Sequence, residues 1–142
     1  MIIRKLAALL ALLAAVSLAQ EGTRSVWDGV FTNEQAERGS GSYQQRCASC
    51  HGTSLTGGES APPLTGGEFS SNWNGLTVGD LFERIRTTMP ADRAGSLSRT
   101  QNADILAYIL SVNQYPVGKN ELATQTEMLK TIRLDPSKPE DK

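Results

Sequence analysis

The chain has 142 residues, 39% of them hydrophobic, which gives room for one compact domain and is too short for the two-lobed sheet of most cofactor-turnover enzymes. Charge is nearly balanced, 14 Lys and Arg against 15 Asp and Glu, so no basic surface stands out that would hold a nucleic-acid backbone. With only two Cys and one His, four-cysteine zinc and iron-sulfur sites are excluded, as is every catalytic design that needs two histidines.

Arg4 and Lys5 precede an apolar run from Leu6 to Val16, and Ser17 and Ala19 set small residues before Gln20. This pattern predicts a secretory signal over residues 1–19, cleaved after Ala19. The competing reading is an uncleaved anchor, but an apolar run of 11 residues is short for a bilayer that needs roughly 20. The mature chain is therefore expected in the periplasm with no membrane span. Loss of Arg4 and Lys5 leaves 12 basic against 15 acidic residues, a formal charge of −3, so a charge-steered partner should present a basic face.

After an extension over residues 20–31, Thr32 and Gln35 form the pattern of a capping box, with Phe31 placed to staple onto Ala36. The helix that follows has Ala36, Gly39, Tyr43 and Cys47 on one face. Gly39 and Gly41 each cost about 1 kcal/mol of helix propensity, which points to close packing. Residues 52–75 are rich in Gly, Ser, Thr and Pro and show no strand alternation; they read as a long ordered loop that must wrap around something. Thr77 with Asp80 opens a second helix carrying Val78, Leu81, Phe82 and Ile85 at helical spacing, ended at Pro90. Ser98 with Gln101 opens a third, with Ile105, Tyr108, Ile109 and Val112, stopped by Tyr115 and Pro116. From residue 117 to 142 a strap with Leu122, Met128, Leu129 and Ile132 at loose helical spacing runs into a polar, frayed end.

Both Cys and the only His fall in one run, Cys47, Ala48, Ser49, Cys50, His51, the attachment pattern for c-type haem. The spacing lets both thiols reach the vinyl groups on one porphyrin edge while the next residue sets its imidazole beneath the iron. A redox dithiol would expect a strand-helix-strand frame, a zinc site would need a fourth ligand, and a structural disulfide would not require His51. One covalently attached haem c is the expected cofactor of the segment 32–116. With no second His, the sixth ligand must come from Met1, Met89, Met128 or a lysine. Met1 leaves with the signal, and Met128 lies in the amphipathic strap. Met89 stands before the rigid Pro90, where an extended segment can present the thioether, so His51 and Met89 are the expected metal ligands.

The chain resembles the class I cytochromes c, in particular small periplasmic ones that accept electrons from quinoprotein dehydrogenases. The resemblance runs from about Trp27 to Ile132 and rests on Gln35, Ala36, Arg38, Gly39 and Tyr43, Cys47 to Gly52, Ala61 to Leu64, Thr88 to Pro90, and Asp104 to Tyr108. It implies an all-α fold, three to four short helices around one haem, in which Gly39 and Tyr43 cross Ile105 and Tyr108. It further implies that the Pro62 carbonyl accepts a hydrogen bond from His51 Nδ1, and that Trp73 donates to a buried propionate, although a core tryptophan is an equal reading. Arg84, Arg86 and Arg93 are further propionate candidates. One departure follows Pro90, where Asp92, Arg93, Ala94 and Gly95 lack the second proline common in relatives.

The leading expectation is a single-electron carrier, not an enzyme, because two strong axial ligands close the iron to substrate. Its expected partners are redox proteins such as a quinoprotein dehydrogenase and a terminal oxidase. A fixed cytochrome subunit of such a complex is the alternative. A haem sensor or peroxidase-like enzyme would need Met89 off the iron and lacks an acid-base histidine.

Overall fold

The computed structural model describes residues 24–140; the expected signal over 1–19 lies outside them. The fold is all-α, with six α-helices among the described residues: α1 Asn33–Arg46, α2 Ala48–His51, α3 Gly66–Trp73, α4 Val78–Thr88, α5 Arg99–Val112 and α6 Thr126–Leu129. A 3-10 turn at Val26–Asp28 and two short parallel strands, β1 Arg24–Ser25 and β2 Ile132–Arg133, join the two ends of the described chain. No described helix is long and apolar enough to cross a membrane.

The architecture is organised by the crossing of α1 and α5. Gly39 sits where a Cβ would collide with the Asp104 carbonyl and lie 3.0 Å from Tyr108 Cβ, so only glycine lets the two backbones meet. Around that point the Tyr43 and Tyr108 rings stack tilted at 5.3 Å, and Arg38 grips Asp104 through two hydrogen bonds of 3.0 and 3.1 Å. Gly41 is different: it is exposed and has nothing within 4 Å, so no packing offsets its helix cost.

The helix starts follow their caps. Thr77 with Asp80 and Ser98 with Gln101 form full capping boxes at α4 and α5. At α1 only half of the expected box exists. Thr32 accepts from the Gln35 N–H, but the Gln35 side chain turns away and bonds both the N–H and the C=O of Leu122, at 2.7 and 3.3 Å. A buried backbone segment without a ladder needs such a partner.

Two further expectations need correction. Residues 52–75 are not all loop: α3 forms at Gly66–Trp73, held by the buried Phe69 against a run whose Gly and Ser residues have little helix propensity. Met128, expected to pack, is 59% exposed, while Leu122, Leu129, Ile132 and Leu134 of the same tail are buried. Val26, Val30 and Phe31 from before α1 join the same core. The Asp135 carbonyl receives Trp27 Nε1 at 2.9 Å and the Tyr115 hydroxyl at 3.3 Å, fastening the tail beside β1.

Candidate haem site

One turn builds the first wall of the site. Cys47 ends α1, its N–H bonded to the Tyr43 carbonyl, and its own carbonyl accepts from both Cys50 and His51. Residues three and four apart on such a turn share a face, so both thiols and the imidazole are presented together. His51 is buried, and its Nδ1 lies 2.9 Å from the Pro62 carbonyl. A carbonyl only accepts, so Nδ1 carries the proton and Nε2 keeps its lone pair for a metal.

The Pro62 carbonyl is placed by a loop whose key residue is Gly57. Its N–H bonds the His51 carbonyl at 2.8 Å, its φ is +78°, and a Cβ there would lie 2.7 Å from Pro63 N and 2.9 Å from the Ala61 oxygen. Only a glycine lets residues 61–63 pass this close. The loop is tied at both ends: the Tyr43 hydroxyl donates to the Gly52 carbonyl at 2.8 Å, and the Asn113 side chain bonds the Leu64 C=O and the Gly66 N–H. Gly57 and Asn113 were not singled out from sequence; their partners are remote in the chain.

Met89 caps the C-terminus of α4 in an extended conformation and is partly buried against the core. The segment after it closes on itself, with Arg93 N–H donating to the Pro90 carbonyl and Gly95 N–H to the Met89 carbonyl. The departure from the proline pattern is thus accommodated by a hydrogen-bonded turn with Gly95 at φ +73°.

Cys47, Cys50, His51, Pro62, Trp73 and Met89 all line one cavity of ≈ 880 Å³, with Leu64, Leu81, Ile85, Ile105 and Ile109 supplying apolar walls. Trp73 makes no hydrogen bond through its indole among the described residues. Arg84 and Arg93 line the cavity without an ion pair among the described residues; Arg46 joins them, unforeseen from sequence. Arg86 is excluded from this role, because it faces away and holds Glu83 at 2.7 Å.

These residues fit haem c. The cavity brings together two thiols, an imidazole and a thioether among apolar walls, the donor set that a covalently attached haem takes. Burial, with the neighbouring Cys50 adding to it, pushes the Cys47 thiol up to about 11, opposite to the depressed value of a redox-active thiolate.

An all-α fold wrapped around such a cavity defines a c-type cytochrome domain. The family model described as cytochrome c oxidase, cbb3-type, subunit III matches residues 34–109, and the chain belongs to this family. Domains of this family are electron-transfer modules rather than enzymes. A solved structure of the sulfane dehydrogenase SoxCD from Paracoccus pantotrophus is similar at a TM-score of 0.49, with 21% identity over 75% of this chain. The chain spans 61% of that structure's length. No curated protein matches the chain.

Proposed function

We propose that the mature chain is a periplasmic monohaem cytochrome that carries single electrons between redox enzymes, with residues 1–19 removed on export and residues 32–116 holding the haem. The observation that carries this reading is that Cys47, Cys50, His51 and Met89, from two separate elements, line one apolar-walled cavity. Cys47 and Cys50 would hold haem c by thioethers, and His51 and Met89 would ligate its iron. Bound there, haem c supplies a one-electron Fe(III)/Fe(II) couple. Pro62 keeps the His51 proton on Nδ1 and so leaves the Nε2 lone pair available to ligate iron. Trp73 offers its indole N–H, and Arg46, Arg84 and Arg93 offer positive charge, to the propionates. With His51 and Met89 both ligating the iron, the site would leave no position for a substrate. A quinoprotein dehydrogenase as donor and a terminal oxidase as acceptor suit this role.

Mass measurement of the exported protein tests the reading. The expected product begins at Gln20 and carries the added mass of one haem; a retained leader or a haem-free chain overturns it.

The family description, that of an oxidase subunit, favours a second reading in which the domain is a fixed subunit. A pull-down at moderate salt separates the two. A mobile carrier washes off its partner, whereas a fixed subunit stays in constant ratio with it.

A further inference from the structure

Helix α4 lies between the cavity and the C-terminal tail. Leu81, Arg84 and Ile85 line the cavity along one face, and Met89 caps the end of the helix there. The other face carries Gly79, Glu83 and Arg86, spaced at four and three. On that face the tail makes a continuous set of contacts. The Leu76 carbonyl accepts from Leu134 N–H at 2.9 Å, and Thr77 bridges Arg133. Gly79 meets the Lys130 backbone so closely that a Cβ would lie 2.6 Å from Lys130 N. Glu83 accepts from Thr126 Oγ1 on one side and from Arg86 on the other, through bonds of 2.7 and 2.9 Å to Arg86. Arg99, reaching from α5, donates to the Thr124 carbonyl at 2.8 Å and to Thr126 Oγ1 at 3.4 Å, with its guanidinium 5.8 Å above the Phe82 ring. The tail is therefore bonded to both α4 and α5. It also lies outside the stretch 34–109 that matches the family model.

We propose that residues 124–134 are a brace that holds α4 where Met89 reaches the iron, with Glu83 and Thr126 as positioning residues. This rests on the reading of Met89 as axial ligand. The physical reason is leverage. Met89 directly follows the last residue of α4 and precedes the hydrogen-bonded turn at residues 90–97, so the placement of its side chain follows that of the helix. A helix free to tilt would carry the sulfur away, whereas one pinned at Leu76, Gly79 and Glu83 keeps it at the cavity.

The test compares three variants of the whole haem-loaded protein by imidazole binding to the ferric form and by the sulfur-to-iron absorption band. Thr126→Val removes the hydroxyl at constant shape. Thr126→Ser keeps it. Gln35→Met cuts the tail from α1 at Leu122 and leaves the α4 contacts in place. Thr126→Val should bind imidazole about tenfold more tightly than wild type and lose the band at lower temperature, a coupling of ordinary size. Thr126→Ser should restore wild-type behaviour. Gln35→Met should lower the unfolding temperature without tightening imidazole. Equal imidazole affinity in Thr126→Val and wild type, or an equal gain in Gln35→Met, overturns the brace. If Thr126→Val fails to fold, Glu83→Gln is read by the same measurement and the same criteria. A wild type that lacks the band overturns Met89 ligation itself, and with it the brace; a wild type with the band and unmoved variants overturns the brace alone.

Discussion

The Asp104 carbonyl occupies the space in which a side chain on Gly39 would begin. This single juxtaposition sets how closely α1 and α5 approach, and both helices line the cavity, through Cys47 on the first side and Ile105 and Ile109 on the second. Gly39→Ala must push the helices apart or bend one of them, at a cost of about 1–3 kcal/mol. Gly41→Ala, exposed and unobstructed, should stabilise α1 by about 0.5–1 kcal/mol. Urea denaturation of the two variants checks both signs; equal effects would remove the crossing from its organising role.

Gly57 offers a second test because it acts on His51 through Pro62. Its positive φ and its contact with Pro63 N both reject a Cβ. Gly57→Ala should destabilise the loaded protein by more than about 1 kcal/mol and shift its reduction potential, since the Pro62 carbonyl moves off Nδ1. A shift in stability with an unchanged potential would mean that the loop relaxes without disturbing the imidazole.

Covalent attachment is tested by acid-acetone extraction. From wild type the haem should stay with the polypeptide, held at Cys47 and Cys50. Replacing either Cys by Ser should weaken retention, and replacing both should yield little folded protein, because the loop over residues 52–64 has lost the body it encloses. Colour in the organic phase from wild type contradicts the thioethers.

Glu83 links the brace to pH. Hydrogen bonds from Arg86 and then Thr126 hold its carboxyl at about 2, below its ordinary 4.5. A depressed folded value stabilises above the unfolded one, so this contribution is present above about pH 4.5 and is lost as pH falls towards 2. Denaturation midpoints of wild type should fall across that window more steeply than those of Glu83→Gln. Parallel curves would show that the ion pair is solvated rather than structural.

Much of this was legible because it is local. Thr32, Thr77 and Ser98 mark helix starts within four residues, and Cys47, Cys50 and His51 declare their chemistry in one turn. What stayed hidden depends on partners far along the chain. Gln35 completes a capping pattern on paper, yet Leu122, 87 residues away, takes its amide. Gly66, Gly67, Ser70 and Ser71 argue against a helix until Phe69 finds the core. Arg84 and Arg86 are alike in type, but two residues apart on α4 they lie on opposite faces, so that one lines the cavity and the other holds Glu83.

The most direct measurement is the ferric absorption spectrum of Met89→Ala beside Met128→Ala, with carbon monoxide binding to the reduced forms. Met89 lines the cavity and Met128 is exposed on the far tail. Met89→Ala should lose the sulfur-to-iron band, show a lowered reduction potential and bind carbon monoxide, while Met128→Ala should match wild type in all three. Retention of the band in Met89→Ala, or rapid carbon monoxide binding by wild type, would contradict a His51 and Met89 ligated electron carrier.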